Sequence, residues 1–71
     1  MEGTEPGVPD VFCAVARDGY YGLFIELKTV SGRLSDAQIS MIGRLRDGGY
    51  GVEVCRGHEA AIEALKTYLG I

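Results

Sequence analysis

The first sustained apolar stretch covers residues 11–16, where VFCAVA runs without a polar break. A short unbroken apolar run with β-branched and aromatic members has the pattern of a strand buried on both faces. Arg17-Asp18-Gly19-Tyr20 supplies turn chemistry, with Gly19 free to take positive φ. Apolar character resumes at residues 23–28, LFIELK, and the pair predicts a β-hairpin. Residues 1–9 are polar and glycine-rich, and Pro6 and Pro9 oppose helix, so they read as an extended segment ahead of a domain at 10–71.

After the loop Ser31-Gly32-Arg33 the period changes. Ser35 and Gln38 stand at the N-cap and N3 spacing of a capping box, and Leu34 and Ile39 flank them as a hydrophobic staple. Gln38, Met41, Ile42 and Leu45 recur at helical spacing, and Gly48-Gly49 stops the helix. Residues 51–55, GVEVC, predict a third strand, and the stripe Ala61, Ile62, Leu65, Tyr68, Leu69 predicts a closing helix from His58. The order β-β-α-β-α predicts an α/β fold: a mixed sheet of about three strands flanked by helices.

A chain of 71 residues is one domain. Domains of this size bury only about 60% of the surface their unfolded chain exposes and usually recruit a disulfide, a metal or a partner subunit. Cys13 and Cys55 form no CxxC pair and His58 is the sole histidine, which excludes a structural zinc site within one chain. Oligomerisation remains, and a two-fold homodimer is the simplest form. No apolar run approaches the roughly 20 residues that span a bilayer. The first nine residues hold no apolar secretory core. Both observations point to a reducing cytoplasm with two free, buried thiols. The net charge of −3 opposes a protein that merely coats nucleic acid, but not one that reaches phosphate through a cation held by carboxylates.

The anomaly lies in the hairpin. Glu26 and Lys28 interrupt an otherwise apolar strand, and Asp10 opens the facing one. Centring the hairpin on Gly19 sets Asp10 opposite Lys28 and Phe12 opposite Glu26, with the three ionisable side chains on one face. A hard divalent cation takes one or two carboxylates, several waters and a phosphate oxygen. Asp10 and Glu26 supply the carboxylates, Leu27 a backbone carbonyl, and Lys28 a point charge for the attacking water or the phosphate. A partly exposed salt-bridge cluster explains the same residues. Arg33, Arg44 and Arg46 are candidates for phosphate contacts, although a solvated surface cation explains each of them better. Tyr20 and Tyr21 suit base stacking or a partner surface, and His58 opens a helix.

Gly7-Val8-Pro9-Asp10 followed by Phe24-Ile25-Glu26-Leu27-Lys28-Thr29 resembles the P-D…(D/E)-x-K pattern of restriction-endonuclease-like nucleases. Joined to Gly32-Arg33-Leu34-Ser35-x-x-Gln38 and Gly49-Tyr50-x-Val52, it is similar to the virus-type replication-repair nuclease (VRR-NUC) domain over nearly the whole chain. The resemblance implies a minimal restriction-endonuclease-like core and an endonuclease that hydrolyses structured DNA. It assigns Mg²⁺ or Mn²⁺ to Asp10 and Glu26, assistance in hydrolysis to Lys28 and a site role to Gln38, for which the capping box is an equal explanation. Small members resemble resolvases of four-way junctions. Members usually add an acidic residue from a leading helix, a place open here to Glu2 or Glu5, one of them from a dimer partner. The alternative is a catalytically weak or inactive DNA-binding or interaction module of the same fold.

Overall fold

A computed structural model describes residues 6–71; Glu2, Glu5 and most of the N-terminal segment lie outside the described residues. The elements are β1 (Val11–Cys13), β2 (Leu23–Lys28), α1 (Asp36–Asp47), β3 (Gly51–Arg56) and α2 (His58–Leu69). The sheet order is β1-β2-β3, with β1 antiparallel and β3 parallel to the central β2. This is the expected mixed three-stranded sheet in the order β-β-α-β-α.

The hairpin turn is a two-residue loop. Asp18 and Gly19 both take positive φ, 52° and 85°. Arg17 and Tyr20 exchange backbone hydrogen bonds of 3.1 and 2.8 Å across them. Two positive φ values are the requirement of a type I′ turn. Beyond it the two chains advance unequally, because the Tyr21 N–H leaves the ladder for the Gly49 carbonyl at 3.0 Å. Pairing resumes at Cys13↔Leu23 and continues to Val11↔Ile25. Phe12 therefore faces Phe24, not Glu26, two residues from the expected register. An even slip preserves which side chains share a face, where a slip of one would have exchanged them.

Residues 14–16 do not extend β1, and the run is not buried on both faces: Phe12 is 47% exposed and Val11 and Val15 are exposed too. β1 is a three-residue edge strand in which Cys13 packs against the core while Val11 and Phe12 stay largely exposed. Tyr68 holds the stretch instead, through its hydroxyl donated to the Val15 carbonyl.

Helix α1 follows its sequence signals closely. Ser35 Oγ accepts the Gln38 N–H at 3.1 Å and Gln38 Oε1 accepts the Ser35 N–H at 2.8 Å, the two halves of a capping box. Ile39, the expected staple residue, is exposed. At the other end Tyr50 N–H bonds the Leu45 carbonyl and Gly49 N–H that of Arg46, both at 3.1 Å, with Gly49 at φ 98°. That is the Schellman arrangement, and it needs a residue without Cβ.

The helices lie on opposite faces of the sheet. Leu23, Ile25 and Cys55 form a core with Tyr68 of α2, flanked by Ala61, Ala64, Leu65 and Leu69. Ile62 stays outside this core, 51% exposed, and Ala64 takes its place. Glu26 and Phe24 point to the other face, where α1 buries Met41 and Ile42. Cys55 is buried and Cys13 half-buried, both as free thiols. Burial, then the charge of Glu53, pushes the Cys55 thiol above its ordinary range. Neutral and enclosed, it is a packing residue. No helix among the described residues is long and apolar enough to cross a membrane.

Candidate functional site

Glu26 lies near the carboxyl end of the central strand and is only 3% exposed. An ionisable side chain buried this deeply needs partners. Continuing the β1–β2 register by one residue sets Asp10 opposite Glu26 rather than Lys28. Asp10 is fixed by the main chain, since its Oδ2 accepts the Leu27 N–H at 2.8 Å. The N–H and C=O of one strand residue point to the same side, so the Leu27 carbonyl is directed past the end of β1, beside Asp10.

Two further groups converge on the same glutamate oxygen. Gln38 donates Nε2 to Glu26 Oε2 at 3.0 Å, and Lys28 Nζ lies 3.9 Å from that atom. The Lys28 side chain is 18% exposed, so the ammonium keeps a path to solvent. Burial raises Glu26 above the ordinary carboxyl range, and the Asp10 charge adds to the rise. Lys28 opposes these effects, and a hydrogen bond between the two carboxyl groups reinforces them. A glutamate raised by burial and a like charge sits where a cation would relieve both causes.

The donor set fits a small hard cation. Two carboxylates and a main-chain carbonyl match the few protein oxygens that Mg²⁺ or Mn²⁺ takes while keeping waters for a phosphate to replace. Among the described residues no three His, Cys, Asp or Glu side chains gather into a metal cage. The N-terminal turns of α1 border the site through Gln38, adding the positive end of a helix dipole.

Asp10, Glu26, Lys28, Gln38 and the Leu27 main chain are thus brought together. The arginines divide. Arg33, in the loop before α1, lies at this end of the sheet, whereas Arg44 and Arg46 occupy the last turn of α1. Arg46 is ~12 Å further along the helix axis than Gln38 at 1.5 Å per residue, and its Nη2 donates to the Val52 carbonyl at 2.9 Å. Val52 faces the open side of β3, because Gly51 N–H turns inward to Gly22. Arg46 therefore closes a free sheet edge.

Three features went unread in the sequence. Gly7 takes φ +88°, and a Cβ there would lie 2.4 Å from the Ala37 carbonyl oxygen, so only glycine lets the approach to Asp10 pass this close to α1. Phe12 and Phe24 stack at 4.4 Å with Tyr50 edge-on at 5.4 Å from Phe24, an aromatic cluster on the Glu26 face. Arg56 anchors the loop after Lys28. A cavity of about 650 Å³ lies at the opposite end of the sheet, lined by Leu23, Tyr50, Gly51, Val52 and Tyr68 among others, and touches none of the convergent polar residues.

Comparison with known proteins agrees with this geometry. The family model of the VRR-NUC domain matches residues 1–59. A solved structure named "VRR_NUC domain protein" is 32% identical and superposes with a TM-score of 0.91 over 96% of this chain and 57% of its own. The chain thus spans little more than half the length of that relative. No curated protein matches. With the family model covering most of its length, the chain belongs to the VRR-NUC domain family and has a nuclease-type fold.

Proposed function

We propose that the domain is a divalent-metal-dependent endodeoxyribonuclease that hydrolyses phosphodiester bonds in structured DNA, four-way junctions included, and that it works as a homodimer. The observation that carries this reading is the pairing of Asp10 with the buried Glu26 around the Leu27 main chain, with Gln38 and Lys28 both directed at Glu26.

Asp10, Glu26 and the Leu27 carbonyl would hold Mg²⁺ or Mn²⁺. Bound there, the cation supplies Lewis-acid polarisation of the phosphate and a more acidic attacking water. The chain's own residues do the rest. Leu27 N–H orients Asp10, and the Gln38 amide fixes one oxygen of Glu26 so that its position is set before substrate arrives. Lys28 Nζ, partly open to solvent, orients the water and meets charge that grows on phosphate oxygens in the transition state. The free thiols suit a reducing compartment such as cytoplasm. Uncovered apolar residues on the edge strand, Val11 and Phe12, favour a second copy of the chain, which would bring two sites to a branched substrate.

Labelled duplex, flap and four-way-junction DNA incubated with Mg²⁺, Mn²⁺ or EDTA tests the reading. Cleavage is expected with either metal, strongest on branched DNA, and none in EDTA. Cleavage that persists in chelator overturns the metal mechanism. DNA binding without cleavage under every condition would favour the inactive module. Sedimentation at micromolar concentration reads the dimer directly.

A further inference from the structure

Arg56 ends β3 and pairs with Lys28 across the parallel β2–β3 register, so two cations meet at the carboxyl end of the sheet. Adjacent like charges repel. Arg56 is instead turned onto the loop that follows Lys28. Its Nη1 donates to the Thr29 carbonyl at 3.0 Å and to the Gly32 carbonyl, with Val30 at the limit of 3.5 Å. The loop is closed on itself by the Gly32 N–H to Thr29 carbonyl bond of 3.2 Å. Gly32 in turn lies against the stem of Lys28, since a Cβ built there would stand 3.5 Å from Lys28 Cδ. Gly57 N–H holds the Lys28 carbonyl at 3.1 Å. A permanently charged guanidinium therefore gathers the carbonyls of a loop whose Gly32 borders the stem of Lys28, the side chain whose ammonium faces Glu26.

We infer that Arg56 is a positioning residue for the nuclease reaction: by clamping residues 29–32 it sets the direction in which Lys28 presents its ammonium. The kinetic part of this inference rests on the nuclease reading. Arg56 acts here through Lys28, not by touching DNA.

Two variants test it, Arg56→Met, which keeps the stem and removes the donors, and Arg56→Lys, which restores a cation. In single-turnover cleavage at saturating metal, Arg56→Met should lower the rate roughly tenfold to a hundredfold with KM for DNA changed by less than about twofold. Arg56→Lys should recover part of that loss. In a Lys28→Met background, Arg56→Met should cause almost no further loss, because residues that act through one another are not additive. Additive losses, or a loss confined to KM with a shallower salt dependence, would mean a direct phosphate contact and overturn the inference. Amide exchange gives a readout that needs no activity: the Gly32 amide should exchange about tenfold faster in Arg56→Met while Ile25 in the core is unchanged. Unaltered Gly32 protection overturns the clamp. If wild-type protein cleaves no DNA the nuclease reading falls, and the exchange result decides the clamp alone.

Discussion

Gln38 donates its amide nitrogen to Glu26 Oε2 at 3.0 Å while its own carbonyl oxygen accepts the Ser35 N–H at 2.8 Å. The helix cap and the contact to the buried carboxylate are two ends of one side chain. They are not competing explanations for the residue. Gln38→Glu separates them. The cap survives, because glutamate keeps the accepting oxygen. The donor is lost, and a second carboxylate meets Glu26. Metal-free protein should then melt several degrees lower at about pH 8 and recover as pH falls, since a 1 kcal/mol loss shifts a domain of this size by roughly 4–8 °C. Cleavage should drop at least about tenfold. Wild-type melting and cleavage together would reduce Gln38 to a cap.

Glu26 carries an opposite consequence for stability. Its folded pKa lies above the ordinary 4.5, through burial first and the Asp10 charge second. The folded protein thus binds this proton more tightly than the unfolded chain. Its stabilising contribution is full below the unfolded value and is lost as pH rises through the folded one. Glu26→Gln retains an acceptor for Gln38 and removes that loss. The variant should melt higher than wild type in EDTA at neutral pH, show a flatter dependence on pH and cleave no DNA. A lower neutral melting temperature would contradict the account.

Lys28→Met tests the role of the ammonium. Its partner atom is 3.9 Å away and its head reaches solvent, so the ion pair itself is worth little to folding. Melting should stay within a few degrees of wild type and calorimetric metal affinity should change little, while the cleavage rate falls at least about a hundredfold. Loss of fold without a kinetic defect would identify a structural salt bridge.

Gly7→Ala addresses the approach to Asp10. Positive φ and a Cβ placed 2.4 Å from the Ala37 carbonyl oxygen both oppose the change. A cost of about 1–3 kcal/mol is expected from backbone strain, read as a lower urea midpoint. Metal affinity should fall further than stability, because Asp10 follows Gly7 by so few residues. A variant with native stability and affinity would show that the segment adjusts freely.

Local chemistry made most of the fold legible. The capping box, the Met41–Ile42–Leu45 stripe and the double glycine stop act within a few residues of one another, and α1 obeys all three. Half of the register shift is local, because the turn centres between Asp18 and Gly19, and half arises beyond it, where the Tyr21 N–H leaves the ladder for Gly49. Apolar content misled at residues 11–16, because burial is decided by how many layers cover a strand and β1 lies on an edge. The convergence of Asp10, Glu26 and Lys28 was readable from alternation alone, and survived since the register moved by an even step. Arg46 and Arg56 were beyond such reasoning. Arginines on exposed positions look alike in sequence, whereas one seals a sheet edge and the other holds a loop.

The hydroxyl of Tyr68 on the Val15 carbonyl joins positions 53 residues apart. Among the described residues the stretch 14–16 has no ladder partner of its own. The β2–β3 pairs stand 28 residues apart, as Leu23 and Gly51 do, and the β1–β2 pairs 10 to 14, so the tyrosine closes the longest loop of the three. The stretch between β1 and the hairpin turn is tied to the last turn of α2, so fraying of that helix end would loosen the arm whose far end carries Asp10.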